Sequence, residues 1–389
     1  SHAALKLSYS LTGDRGPGLS NSTAIIASSS PFRPFTSVQE SGLILSTLGN
    51  DELTYEKKTE FNLGIDLGFL ENRINVAMDV YTRDNHDLIG TTRTQGVGGE
   101  IAKFANIASM KSHGFELSVS SNNIKTKDFS WNTDFIYSIY KNEVTDLNAI
   151  ATTMDYVSGT GFTMVGYPHR GLFSIPFAGL DSNGIPMFYN EKGEITSTDL
   201  SFQSSDDFSW LKYEGPTEPT FTGSLGNSFT YKNVHLNVFF TYSGGNVVRL
   251  DPVFSYRYSD LTATTREFKN RWMVPGDENR TNVPTILSYR QYYENAELRN
   301  AYSAYNYSTE RVAKGGFIRL KEISVAYDFP KKWLSALKVS NVSLKLQATN
   351  LCLLYADKKL NGQDPEFVNS GGVASPVPRQ FTMTLRLGL

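Results

Sequence analysis

The side chains that could do chemistry in this 389-residue chain are scattered. Its five histidines, His2, His86, His113, His169 and His235, show no metal-ligand spacing, and His235 sits on the polar side of a strand pattern. The single Cys352 excludes an internal disulfide framework and a thiolate metal cluster, and reads as a small buried hydrophobe. No G-x-S-x-G, Walker A or H-E-x-x-H pattern occurs. The sequence therefore predicts no catalytic residues, no metal and no cofactor. What it concentrates is tyrosine: Tyr289, Tyr292, Tyr293, Tyr302, Tyr305 and Tyr307 crowd the stretch Ser288–Tyr307, read as loop. Tyrosine has a flat apolar face and a polar tip, and such surfaces bind sugars and peptides. The same composition also serves loop-to-loop packing or contact with a covering protein. Arg249, Tyr256 and Arg257 open the same long connection with the same two readings.

The elements that carry these residues are strands. Phe381, Met383, Leu385, Leu387 and Leu389 alternate with Thr382, Thr384, Arg386 and Gly388, which gives an extended chain one greasy face. By itself this stretch fits an edge strand of a soluble sandwich as well as a membrane barrel. Nine more segments repeat the pattern: Leu5–Leu11, Phe61–Phe69, Ile74–Tyr81, Phe115–Ser120, Trp131–Ile139, Phe221–Phe229, Val234–Tyr242, Ile323–Phe329 and Val342–Gln347. Arg319, Lys321 and Glu322 break the alternation ahead of Ile323, and a β-bulge would repair the phase. The connections alternate strictly between short (Leu70–Asn72, Asn122–Asp128, Tyr231–Asn233, Pro330–Asn341) and long (Thr12–Lys58, Asp84–Ser112, Lys141–Thr220, Gly244–Gly315, Leu351–Gln380). Outer-membrane barrels have short periplasmic turns and long extracellular loops, whereas long structureless loops are rare in compact soluble domains. Leu172–Tyr189 reads either as an additional barrel hairpin or as a hairpin within a loop.

Composition agrees. There are 24 Phe, 21 Tyr and 4 Trp, enough for aromatic girdles, and the net charge of −2 argues against nucleic acid. No apolar run reaches the ~18 residues of a membrane helix. Mean hydropathy is −0.31, a value that lumen-facing residues of a barrel would produce. The chain opens inside a strand pattern, which reads as a mature fragment.

Longer stretches resemble the C-terminal half of SusC/RagA-type TonB-dependent outer-membrane transporters of Bacteroidetes. They are YEKKTEFNLGIDLGFLENRINVAMDVYTRDNHDLI (Tyr55–Ile89), NIASMKSHGFELSVSSNNIKTKDFSWNTDFIYSIYKNEVTDL (Asn106–Leu147), RWMVPGDENRTNVP (Arg271–Pro284), GFIRLKEISVAYDFP (Gly316–Pro330), LQATNL (Leu346–Leu351), GQDPEF (Gly362–Phe367) and SPVPRQFTMTLRLGL (Ser375–Leu389). The chain departs from the family at Leu389, where Phe is usual. It also departs in GLDSNGIPMFYNEKGEIT (Gly179–Thr196), which lacks calcium-loop spacing.

The resemblance implies an all-β, antiparallel transmembrane barrel, here about half of a plugged barrel of about 22 strands. Plug, TonB box and N-terminal barrel strands are outside this chain. It implies import of oligosaccharides or oligopeptides across the outer membrane, with energy from TonB through the plug and a SusD-like lid lipoprotein over the loops. The wall would contact membrane lipid and lipopolysaccharide. A surface adhesin or non-transporting glycan-binding barrel is the alternative. Phe135, Tyr137, Val238, Phe240, Val76, Leu344 and Leu385 are expected to face lipid. Lys345, Arg386, Asn237 and Asp79 are expected to face the lumen, with Arg319, Lys321 and Glu322 turned toward lumen and plug. Leu5–Leu11 and Phe381–Leu389 should pair with strands of the N-terminal half rather than with each other.

Overall fold

The computed structural model describes residues 2–15, 24–29, 37–48, 50–94, 96, 102–204, 207–253, 265–334, 339–368 and 375–388. Its dominant element is one antiparallel sheet of ten strands, each paired with its neighbours in sequence. They are β1 (His2–Asp14), β2 (Glu56–Phe69), β3 (Ile74–Arg93), β4 (Ala102–Lys125), β5 (Phe129–Leu147), β6 (Phe221–Tyr231), β7 (Val234–Gly244), β8 (Phe317–Asp328), β9 (Asn341–Ala356) and β10 (Gln380–Gly388). These are the ten strands that side-chain alternation picks out. Leu172–Tyr189 contributes to small separate sheets in a connection and adds no wall strand.

Register carries alternation across the whole wall. Leu5, Ile65, Met78, Leu117 and Tyr137 lie opposite one another in one row. Ala3, Leu67, Val76, Val119, Phe135, Leu225 and Phe240 form another. Leu385 lies opposite Leu344, while Arg386 lies opposite Ser343 on the other face. Asp79 faces Glu116, Asn237 faces Ser324 and Lys345 faces Thr384, all on the polar side. A slip of one residue would exchange the two faces, so the greasy surface itself fixes register. Val80, Val325 and Leu346, on strands paired at both sides, remain 44–52% exposed, as a lipid-facing surface requires.

Several strands run well past their expected ends. Asp84–Ser112 reads as a loop in sequence, yet β3 continues to Arg93 and β4 begins at Ala102. The phase shifts between Asn85 and Leu88, where Asp87 takes a left-handed φ of 58°. Beyond that bulge the hairpin rises with no greasy face to keep, so period-two hydrophobicity vanishes while the hydrogen-bond ladder persists. Among the described residues β1 pairs only with β2 and β10 only with β9. The wall is therefore an open sheet with two free edges, as expected, and not a small closed barrel.

Candidate functional site

The connections at the long end of the wall carry the candidate site. Those between β5 and β6 and between β7 and β8 fold against each other around a shared apolar core. Tyr156, Val157, Phe173, Ile175 and Phe188 come from the first, and Val253, Ala301, Tyr302, Ala304 and Tyr305 from the second. Short strands Gly171–Ser174 with Lys212–Pro216, and Phe177–Leu180 with Pro186–Tyr189, frame it. Ile175 N–H donates to the Tyr307 carbonyl at 3.1 Å and Thr309 N–H returns to the Ile175 carbonyl at 3.1 Å. Burying each large side chain here stabilises the body by roughly 1.5–3 kcal/mol.

One buried guanidinium joins the parts. Arg249, 8% exposed, donates to Ser174 Oγ at 3.1 Å and to the carbonyls of Ser308 at 2.8 Å, Val157 at 3.2 Å and Phe173 at 2.7 Å. Burial pulls its pKa down to about 10, so it keeps its charge at neutral pH. Of its two readings Arg249 takes the packing one: its two terminal nitrogens bond Ser174 Oγ and three loop carbonyls, while its Nε has no partner among the described residues. Arg311, also buried, pairs with Glu267 and donates to the Asp251 carbonyl at 2.6 Å. The R-W-M-V-P-G-D-E turn locks onto the other connection. Trp272 lies over Gly184, where an added Cβ would meet the indole at 2.5 Å, and its Nε1 donates to Glu278 at 2.9 Å. That bond holds the Glu278 carboxyl below its usual range. In the loop without calcium spacing, Asp181 Oδ1 accepts from the backbone N–H of Asn183 and Ile185, both at 2.8 Å, so the carboxylate closes a turn.

The six tyrosines do not form one surface. Their stretch is helical: α1 (Tyr289–Glu294) and α2 (Ala296–Asn306). In α2, residues 301, 302, 304 and 305 share the inward face. Tyr302 and Tyr305, 5% and 2% exposed, belong to the core and offer no ligand a surface; burial raises the Tyr305 hydroxyl pKa. Tyr302 Oη donates to the Thr285 carbonyl at 2.7 Å. Tyr307 is half-buried against the same core. Among these six, the tyrosines of α1 present an aromatic face: Tyr289, 78% exposed, lies 4.3 Å from Tyr293, which meets Tyr292 edge-on at 5.4 Å. The sequence held a signal for these helices, since Ser288 and Gln291 form a capping box and Asn295 caps α2. Tyr256 and Arg257 lie outside the described residues.

The charged residues of β8 separate in role. The expected bulge is present: register skips Lys321 against both β7 and β9. Arg319 is turned to the polar side but covered. It binds Asp364 at 2.6 Å and Glu366 at 2.6 Å, and sits 5.3 Å from the Phe317 ring. Within this chain its charge is met by these two carboxylates. Glu322 approaches Lys345 Nζ at 3.8 Å, and Arg386 stays on the polar face of the exposed edge strand. Sequence reading also missed a polar-face group higher on the wall: Arg83 stacks 4.0 Å over Tyr81 and binds Glu60 at 2.7 Å. Cys352 is exposed, which corrects its expected burial.

Fold and site together define a class, an antiparallel membrane barrel wall with a folded body on its long-connection side. No family model matches the chain. It is 28% identical over 372 residues to the TonB-dependent receptor SusC of Bacteroides thetaiotaomicron, covering 87% of this chain and 32% of that protein. It is 26% identical over 386 residues to the TonB-dependent receptor P3 of Formosa agariphila, covering 93% of this chain and 35% of that one. A chain of the RagAB peptide transporter superposes with a TM-score of 0.76 at 22% identity, covering all of this chain and 40% of its own. This chain thus spans about a third of the length of these curated relatives. It is similar to SusC/RagA-type TonB-dependent transporters, as its motifs indicate, and it is a piece of outer-membrane β-barrel.

Proposed function

We propose that this chain supplies wall and extracellular loops to a SusC/RagA-like importer of oligosaccharides or oligopeptides. The observation that carries the reading is the open ten-stranded wall with one greasy face and two free edges. Unpaired backbone groups in hydrocarbon cost several kcal/mol each. Edges β1 and β10 therefore close on strands of an N-terminal half, which also carries the plug and the TonB contact. The preformed body of two connections offers a surface for a SusD-like lid lipoprotein, and the Tyr289–Tyr293 face is its aromatic contact with lid or ligand. Arg386, Lys321 and the Glu322–Lys345 pair face the lumen, where a plug would sit. Membrane lipid and lipopolysaccharide cover the greasy face.

Uptake separates this from a surface adhesin. Cells lacking the gene are expected to lose growth on, and accumulation of, at least one labelled oligosaccharide or oligopeptide. Unchanged growth on every glycan and peptide tested would favour the adhesin.

A further inference from the structure

Residues 357–368, in the connection between β9 and β10, are built in three parts. The first is an anchor: Leu360 is 1% exposed among Val248, Leu250 and Ala313, and Asp357 accepts from Lys314 N–H at 2.8 Å. The second is a pair of consecutive residues at positive φ, Asn361 at 52° and Gly362 at 88°. The third is a 3-10 turn, Pro365–Phe367, capped by Asp364. Pro365 of this turn is buried, and charge ties the turn to the wall, with the Asp364 and Glu366 carboxylates sharing the single guanidinium of Arg319 at 2.6 Å each. Gln363 adds one bond to Asp251 at 3.0 Å.

Between turn and wall lies a cleft of about 490 Å³. One side is lined by Gln363, Asp364 and Phe367, the other by Arg319, Asn350 and Leu353. Apolar burial fixes both ends of the segment, since Val368 packs against the same cluster as Leu360, and the turn between them is tied down by the charge cluster and by the buried Pro365. Such a charge cluster is short-ranged, and losing the cation leaves the 10%-exposed Asp364 carboxylate partly desolvated, the 40%-exposed Glu366 less so. The two bulges flanking it, at Lys321 in β8 and at Asn350 (φ 53°) in β9, are local features that re-aim side chains. They let Arg319 meet the turn.

We propose that residues 362–367 are a flap, hinged at Asn361–Gly362, tethered at its far end by Val368 and latched to the barrel wall by Arg319, whose release opens the cleft to the lumen. The flap swings while Leu360 and strands β8 and β9 stay in place. The identity of the transported substrate does not enter.

Amide hydrogen exchange of the whole protein in lipid nanodiscs tests this. Arg319→Gln, and separately Asp364→Asn with Glu366→Gln, are expected to speed exchange at Gly362, Gln363, Glu366 and Phe367 by about tenfold to a hundredfold, the worth of a charged hydrogen bond. Exchange at Lys359, Leu360 and the β8 and β9 amides should keep its native rate. Glu366→Gln alone removes the outer partner, 40% exposed, and gives a smaller rise without risk to assembly should Arg319→Gln fail to insert. Unchanged flap exchange in these variants overturns the latch. A rise shared equally by Leu360, β8 and β9 overturns the hinge.

Discussion

The wall and the body on its long-connection side solve the folding problem in opposite ways. Wall strands satisfy their backbone through the ladder and send side chains alternately to two different solvents, so almost none of them is buried. The body has an ordinary interior: Val157, Phe173, Ile175, Phe188 and Tyr305 are all 2% exposed or less, and Arg249 bonds four groups from two connections. A side chain in the wall matters for which face it shows. In the body it matters for what it fills.

Mutations can break that contrast, and the largest effect is expected in the body. Tyr305→Ala opens a cavity worth about 3–5 kcal/mol. Proteolysis should then nick the connections 150–220 and 245–310 rapidly while the wall keeps its heat-modifiable gel mobility. Simultaneous loss of the wall would show that the two regions are one cooperative unit. Met78→Arg, on the greasy face, should cost about 2–4 kcal/mol in urea-dependent folding into bilayers, whereas Ser118→Arg on the other face should cost little. Equal costs would remove the distinction between the faces. Gly114→Ala should cost about 1–3 kcal/mol, because a Cβ there meets the Tyr81 ring at 2.4 Å. Smallest is Tyr289→Ala: within about 0.5 kcal/mol of native stability, because the side chain touches mostly solvent, yet weaker in binding lid or ligand.

The same contrast explains what the sequence could reveal. Period-two alternation is a local signal, and Val342–Leu346 or Phe381–Leu387 shows it without any neighbour. It fails where a bulge shifts phase, as at Asp87, and where strands rise clear of lipid. The core of the body is invisible to it. Phe177 and Tyr305 meet edge-on at 5.7 Å although they lie 128 positions apart in sequence, and no short window along the chain contains both. The Ser288–Gln291 box was legible as a helix start, but the density of tyrosine there suggested a surface, and helical geometry then buried two of the six. Arg319 stood out in sequence as an interruption of alternation. Its partners lie 45 and 47 residues away, so its role could come only from the fold.

The central claim is that consecutive wall residues face two different media. Nitroxide labels placed singly at Glu116, Leu117, Ser118 and Val119 of β4, in a Cys352→Ser background, test it directly in reconstituted bilayers. Oxygen accessibility should peak at Leu117 and Val119, and accessibility to a water-soluble nickel reagent should favour Glu116 and Ser118, with a period of two. A flat profile, or one with the two parities exchanged, would contradict the barrel wall.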